Sequence, residues 1–158
     1  MDSGDVPAAR DLAKKGRLRF GTIDTWLVYS LTDGAAYVTD VTNASRTMLF
    51  DIHKLRWDDT LLQELGIPRS ALPRVCESGE IVGMCSADVL GEEIPIAGIA
   101  GDQHAALFGQ CCFEEGMAKK YIRHGLLCAD EHRQQARGSQ TGLLTTIAWK
   151  LNGRTTYA

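Results

Sequence analysis

The spacing of apolar and polar positions predicts three helices in the first half of the chain. Residues 6–20 suit a short helix that closes near Gly16. Asp24 is the expected N-cap of a second helix, and Asp58 of a third that Gly66 and Pro68 end. The second helix carries an apolar stripe of Trp26, Leu27 and Leu31 and ends at the turn Asp33-Gly34. The third helix is expected to bury a face made of Leu61, Leu62 and Leu65.

Two apolar stretches predict strands instead. Alternation around Tyr37 and Val38 favours a strand that a polar break at residues 42–45 follows. The run Ile94 to Ala100 is short, apolar and rich in β-branched residues, which is typical of a buried strand. Gly101 and Asp102 then form a tight exit into a small-residue helix up to Gln110. Strand, glycine turn and helix in this order indicate an α/β fold with a carboxylate at the junction.

Composition narrows the class of protein. The 158 residues are 44% hydrophobic and 23% charged, a globular profile, and their formal net charge of −3 gives no electrostatic case for nucleic acid or an acidic membrane surface. No apolar run approaches the roughly 18 residues of a membrane helix. The first 17 residues lack the apolar segment of a secretory signal.

The cysteines predict reduced thiols. There are five, at positions 76, 85, 111, 112 and 128, and no pair has C-x-x-C spacing. An odd number makes a poor disulfide framework, and the spacing offers no chelating pair, so buried thiols are favoured over a metal site. This usage predicts a reducing compartment, the cytoplasm.

Asp102 has two physical interpretations. It can cap the helix that follows it, with its carboxylate accepting hydrogen bonds from first-turn amides. It can also act as a general base at the carboxyl end of a strand, taking the proton from an alcohol that attacks a phosphoryl group. Position alone favours the cap, since this is the commonest role of an aspartate at a helix start.

Three stretches add a resemblance that favours the base. "FGTIDTWLVYSLTDG", "VTDVTNASRTMLFDIHKLRWDD" and "IPIAGIAGDQHAALFGQ" resemble the glycerol kinases of the FGGY carbohydrate kinase family. The resemblance runs from about residue 6 to 119, resumes over 139–158, and is most specific in "TNASRTMLF" and "AGDQ-x-AALFGQ". It implies an actin-like, ribonuclease-H-like α/β domain of a cytoplasmic, homo-oligomeric enzyme.

The resemblance also implies site residues and ligands. Asp102 matches the family's catalytic base and Gln103 a residue that contacts glycerol. His104 stands where a second glutamine is usual, and we interpret it as a helix-surface variant without a catalytic role. The implied ligands are glycerol, ATP and Mg²⁺, with closure of two domains excluding water. No residue of this chain matches a metal ligand of the family.

Parts of the family pattern are missing. The chain has no counterpart of the family's glycine- and threonine-rich phosphate hairpin, or of the arginine-glutamate pair and the aromatic residue that hold glycerol. It also lacks the segments through which fructose bisphosphate or histidine phosphorylation regulates some members. We therefore expect residues 1–158 to be the C-terminal portion of the first kinase domain, with the second, adenine-binding domain absent. This predicts an internal fragment of a longer enzyme.

The stretch Lys120 to Gly138 departs from the family. Where glycerol kinases have the phosphate loop N-T-Y-G-T-G-C-F, this chain has "KYIRHGLL", and His124 takes the place of the phosphate-contacting threonine. One synonymous coding of the family sequence, read after a single inserted base, yields Lys120 to Arg137 residue for residue. We interpret the stretch as a compensated frameshift; the alternative is a divergent basic surface loop, and a nucleic-acid patch is disfavoured because aromatic residues are scarce.

The predicted function is that of a glycerol kinase fragment. The family reaction converts ATP and glycerol to ADP and sn-glycerol 3-phosphate, and the chain alone is expected to be inactive because its nucleotide-binding loop is not intact. The alternatives are a non-catalytic truncated or pseudogene-derived fragment that associates with intact subunits, and a kinase for another polyol or sugar.

Overall fold

Short helices and strands alternate along the chain. A computed structural model describes residues 7–114, 116, 117 and 144–158. The helices are α1 Pro7–Lys14, α2 Ile23–Leu31, α3 Val41–Ala44, α4 Asp59–Glu64, α5 Ala87–Leu90 and α6 Asp102–Gly109, with a 3₁₀ turn at Arg69–Ala71. The strands are β1 Val38–Asp40, β2 Phe50–Asp51, β3 Arg56–Trp57, β4 Arg74–Cys76, β5 Gly83–Cys85, β6 Ile94–Ile96, β7 Ile147–Leu151 and β8 Arg154–Tyr157.

The parallel pair β1–β4 identifies the α/β character of the chain. Val38 lies opposite Arg74, and Asp40 lies opposite Cys76. Parallel neighbours need a long crossover, and here it runs through α3, the antiparallel pair β2–β3 and α4. The pairs β5–β6 and β7–β8 are antiparallel. The predicted strand around Val38 is confirmed as β1.

Strand β1 ends at Asp40, as the predicted break at residues 42–45 requires, and helix α3, which was not predicted, follows it. Asp40 is its N-cap and accepts a hydrogen bond of 3.0 Å from the amide of Asn43. Thr42 is fully buried, and its hydroxyl donates to Oδ1 of Asp40 over 2.8 Å. A satisfied hydroxyl can be buried at little free-energy cost, so polarity alone did not indicate exposure here.

The main hydrophobic core packs α3 and α4 against β2, β3, β7 and β8. Its edge-to-face pair, Phe50 and Trp57, has ring centroids 5.6 Å apart, and Nε1 of Trp57 donates to the carbonyl of Pro73. The buried members are Val41, Ala44, Phe50, Trp57, Leu62, Leu72, Ile147 and Tyr157. This core therefore holds α3, which carries the polar residues discussed below, in a fixed place.

Helix α4 confirms one prediction and corrects another. The side chain of Asp58 accepts hydrogen bonds from the amides of Thr60 and Leu61, so the predicted N-cap is confirmed. Leu62 is buried, but Leu61 is 37% and Leu65 60% exposed, so the predicted buried face is wrong. Leu61 and Leu65 lie four positions apart and share one line along the helix, which faces outward.

Helix α2 differs from its prediction in the same way. Its N-cap is Thr22, while Asp24 lies inside the first turn. Its buried residues are Asp24, Thr25 and Val28, and Trp26 from the predicted stripe is 63% exposed. Trp26 of the apolar stripe thus faces outward, while Asp24 and Thr25 turn inward with Val28. Among these buried polar groups, Oδ2 of Asp24 accepts a hydrogen bond from Thr39.

The run Ile94 to Ala100 is not a buried strand as predicted. Only Ile94–Ile96 pair, with β5, and Ile94 is 40% exposed. Strand β6 has one bonded neighbour, β5, among the described residues. Ile99 is the buried residue of this run, and it packs with Val28 and Cys76.

The cysteines mostly agree with the prediction of buried thiols. Cys76, Cys85 and Cys112 are buried free thiols, whereas Cys111 is exposed. Cys111 follows α6 with φ of 55°, a left-handed conformation that turns the chain after the helix. Cys128 lies outside the described residues. Within the described part of the chain, no helix is long and apolar enough to cross a membrane.

Candidate active site

The start of α6 borders a cleft of about 570 Å³. Three segments far apart in sequence form its walls: the first turn of α2, the α3 region and the chain around Asp102. The lining residues are Ile23, Asp24, Leu27, Asn43, Arg46, Ala100, Gly101, Asp102, Gln103 and His104. The cleft therefore brings together the two most specific sequence motifs, "TNASR" and "AGDQ".

Asp102 presents an exposed carboxylate to this cleft. It is the first residue of α6, and the N-cap is Gly101, so the interpretation of Asp102 as the N-cap, which position alone favoured, is wrong. Its Oδ1 accepts a 2.8 Å hydrogen bond from the amide of Gln103, the residue next to it. One oxygen of the Asp102 carboxylate thus satisfies a first-turn amide of α6.

Gln103 lies beside Asp102 on the same wall of the cleft and is half-buried. Its amide group can both donate to and accept from a hydroxyl. The structure therefore brings together the two residues that the sequence motif singles out. Their roles as base and glycerol contact stay predictions.

The prediction that His104 lies on the helix surface is wrong. His104 is 3% exposed, and neither ring nitrogen has a hydrogen-bond partner among the described residues. Burial lowers the pKa of His104, an effect that Arg46 reinforces and the carboxylates of Asp40 and Asp102 oppose. The signal available in the sequence was Leu107, which lies three positions later on the same helix face and is fully buried.

Two further cleft residues were missed. Asp24, expected as a cap, is 9% exposed; its Oδ2 accepts a hydrogen bond from Thr39, and its Oδ1 has no partner among the described residues. Arg46 is exposed and is the one Arg or Lys among the described residues that lines the cleft. The motif "TNASR" contained Arg46, but its spacing does not indicate that it lines the same cleft as Asp102.

His124 and the rest of the segment Lys120 to Gly138 lie outside the described residues. The structure therefore does not test the frameshift hypothesis or the phosphate-loop hypothesis. Among the described residues, no group of three or more His, Cys, Asp or Glu is placed to hold a metal ion. The polar side chains of the described site are thus the exposed Asp102 and Arg46, the amides of Asn43 and Gln103, and the buried Asp24 and His104.

The chain is similar to known proteins of one kinase family. Residues 5–109 match the model of the FGGY family of carbohydrate kinases, N-terminal domain. The chain is 54% identical over 154 residues to the glycerol kinase of Deinococcus radiodurans and 52% identical to glycerol kinase 2 of Thermotoga maritima. The crystal structure of Plasmodium falciparum glycerol kinase with ADP superposes with a TM-score of 0.90 at 34% identity.

These relatives are longer proteins. Each match covers 98% of this chain but 31% of the relative. The chain therefore spans about a third of the length of the glycerol kinases that it matches.

Proposed function

This chain belongs to the FGGY family of carbohydrate kinases, and on that premise we propose that it carries the glycerol-binding side of a glycerol kinase active site. Its α/β fold is part of an actin-like ATPase-type domain. The reaction is transfer of the terminal phosphoryl group of ATP to glycerol, giving ADP and sn-glycerol 3-phosphate. The observation that carries the proposal is the exposed Asp102 carboxylate in the first turn of α6, which lines one cleft together with Gln103 and Arg46.

Asp102 acts as the general base. As the glycerol oxygen bonds to the phosphorus and the bond from phosphorus to ADP breaks, the hydroxyl proton passes to the carboxylate. The local geometry suits this task, because one oxygen of Asp102 is held by the Gln103 amide and the carboxylate is otherwise exposed. Gln103 binds a glycerol hydroxyl through its side-chain amide and so orients the attacking oxygen.

Mg²⁺ and ATP fit the chemistry of the cleft. Mg²⁺ prefers oxygen ligands and is usually held by one or two carboxylates together with substrate phosphates, rather than by a closed protein cage. Asp102 provides an exposed carboxylate of this kind, and Arg46 provides a cation for phosphate oxygens. When bound, magnesium-ATP supplies the phosphoryl group.

We further propose that residues 1–158 form the C-terminal portion of the first kinase domain and that this chain alone does not turn over glycerol. The reason is the sequence at Lys120 to Gly138, where His124 stands in place of the threonine expected in a phosphate loop. The buried free thiols support a reducing compartment, and we assign the protein to the cytoplasm.

The test is a glycerol titration of the ¹⁵N-labelled chain followed by NMR. We expect the amides of Gly101 and Gln103 to shift with glycerol and not with 1-propanol, which has one hydroxyl. Asp102→Asn should weaken binding, while Asp88→Asn, an exposed aspartate in the first turn of α5, should not. No shift at saturating glycerol, or equal affinity in Asp102→Asn, would contradict the proposal. In a coupled ATP assay, glycerol-dependent turnover that Asp102→Asn abolishes would overturn the inactivity of the chain alone.

A second candidate function is association with an intact glycerol kinase subunit. It is favoured by the outward face of α2, where Ile23 is 70% and Trp26 63% exposed. Exposed apolar patches commonly mark protein interfaces. Co-purification of the tagged chain with a full-length glycerol kinase, lost in Trp26→Glu, would support this role, and failure to co-purify would exclude it.

A further inference from the structure

A buried carboxylate lies behind the loop that leads to Asp102. Asp40 is fully buried at the junction of β1 and α3. Its Oδ1 accepts from the hydroxyl of Thr42 at 2.8 Å and from the main-chain and side-chain nitrogens of Asn43 at 3.0 and 2.9 Å. Its Oδ2 accepts from the hydroxyl of Ser78 at 2.7 Å. The carboxylate thus accepts four hydrogen bonds, three on Oδ1 and one on Oδ2.

Oδ1 of Asp40 reaches the residue before Asp102 through Thr42. Because the only hydroxyl proton of Thr42 is donated to Asp40, the oxygen is left as an acceptor. The amide of Gly101 donates to that oxygen over 2.9 Å. Gly101 is the N-cap of α6, so this bond holds the peptide from which Asp102 emerges.

Oδ2 of Asp40 reaches the same loop through Ser78. The Ser78 hydroxyl donates to Asp40, and the Ser78 carbonyl accepts a 2.9 Å hydrogen bond from the amide of Ile99. The amide of Lys150 in β7 donates to the Ser78 hydroxyl over 3.2 Å. The two oxygens of one carboxylate thus hold residues 99 and 101 at separate points.

We infer that Asp40 and Thr42 are positioning residues for the base Asp102: they fix the Gly101 peptide and thereby the direction in which the Asp102 carboxylate enters the cleft. This inference rests on the proposed function. Neither residue lines the cleft, so they act through Gly101 rather than on substrate. A base must lie within hydrogen-bond reach of the proton it takes, and a displaced loop would lose that reach.

The test uses Thr42 because replacing the buried Asp40 itself risks unfolding the chain. Thr42→Val removes the hydroxyl at nearly constant shape, and Thr42→Ser keeps it. Thr47→Val is the matched control, since the Thr47 hydroxyl donates to the Ala44 carbonyl in the turn after α3. Two quantities are measured by NMR on the 158-residue chain: the affinity for glycerol and the rate of hydrogen exchange of the Gly101 amide. The exchange rate is compared with that of the Asp58 amide, which donates to the Leu49 carbonyl.

Thr42→Val should speed Gly101 exchange relative to Asp58 by roughly 10- to 100-fold, the range that corresponds to a lost buried hydrogen bond. It should also weaken glycerol binding about tenfold. Thr42→Ser should restore both quantities, and Thr47→Val should change neither.

Two results overturn the inference: unchanged Gly101 exchange in Thr42→Val, or a loosened Gly101 with unchanged glycerol affinity, which would leave Thr42 a purely structural residue. If the wild-type chain binds no glycerol, the proposed function fails and the positioning role fails with it. In that case the Gly101 exchange still reports whether the hydrogen bond from Gly101 to Thr42 exists, so the two failures are distinguishable.

Discussion

The hydroxyl of Thr39 donates a 2.8 Å hydrogen bond to Oδ2 of Asp24, and this buried bond joins β1 to α2 at one wall of the cleft. Because Oδ1 of Asp24 has no partner among the described residues, the Thr39 hydroxyl carries much of the compensation for burying this carboxylate.

Thr39→Val should therefore lower the free energy of unfolding by about 1–3 kcal/mol, the penalty for a buried polar group that loses its partner. Urea denaturation measures it. The control is Thr60→Val at an exposed position of α4, where the change should stay within about 0.5 kcal/mol. Equal effects at both positions would contradict the importance of the Asp24 contact.

The buried His104 should make stability depend on pH. Burial lowers the pKa of His104 below its ordinary value of 6.5, so the unfolded state binds the proton more tightly than the folded state. The contribution of His104 is therefore fully present above the unfolded pKa and is lost as pH falls from 6.5 through the folded pKa.

Urea midpoints between about pH 7.5 and about pH 5 measure this dependence. In His104→Gln the decline over this window should be smaller than in the wild type. His53 is exposed, so His53→Gln should leave the decline as it is. A decline of equal size in His104→Gln would show that other groups cause it.

Gly101 should not tolerate a side chain. A Cβ at this position would stand 2.8 Å from Nδ1 of His104, closer than real contacts allow. Gly101→Ala should lower the unfolding free energy by about 1–3 kcal/mol, since overpacking displaces a buried ring.

A double-mutant cycle tests the cause of that loss. In a His104→Ala background the effect of Gly101→Ala should shrink, because the clashing ring is gone. Additive effects of the two changes would mean that the penalty arises elsewhere, for example in the bond from Gly101 to Thr42.

The cysteines should differ in reactivity. Burial, together with the carboxylates of Glu80 and Asp40, raises the pKa of the Cys76 thiol to about 12, so thiolate is scarce at neutral pH. Cys111 is exposed. Iodoacetamide followed by peptide mass spectrometry should find Cys111 modified in the native chain and Cys76 protected until urea unfolds it. Modification of both at equal rates in the native chain would contradict the described packing.

Local signals in the sequence predicted local structure. Asp58 was identified as a cap because its partners are close in sequence. Its carboxylate accepts hydrogen bonds from the amides two and three positions later, so no distant residue is needed. The strand at Val38 and the junction of Gly101 with Asp102 followed from short patterns as well. The motifs around Asp102 also identified the family, which the comparisons confirmed.

Errors arose where a side chain's environment comes from distant residues. His104 was assigned to the helix surface, and it is buried. Two of the three leucines predicted to form the buried face of α4, Leu61 and Leu65, are exposed. Periodicity states which residues share a helix face, but it does not state which face meets the core.

The sequence by itself determined the type of six elements (α1, α2, α4, α6, β1 and β6), the family, and the pair Asp102 and Gln103 as the candidate site. Only the tertiary structure decided what surrounds that pair. Thr42 meets Gly101 across 59 positions of chain, and Ser78 meets Asp40 across 38. Hydrogen bonds between residues this far apart in sequence leave no periodic pattern in the sequence. They depend on where the packing of the core brings each backbone segment.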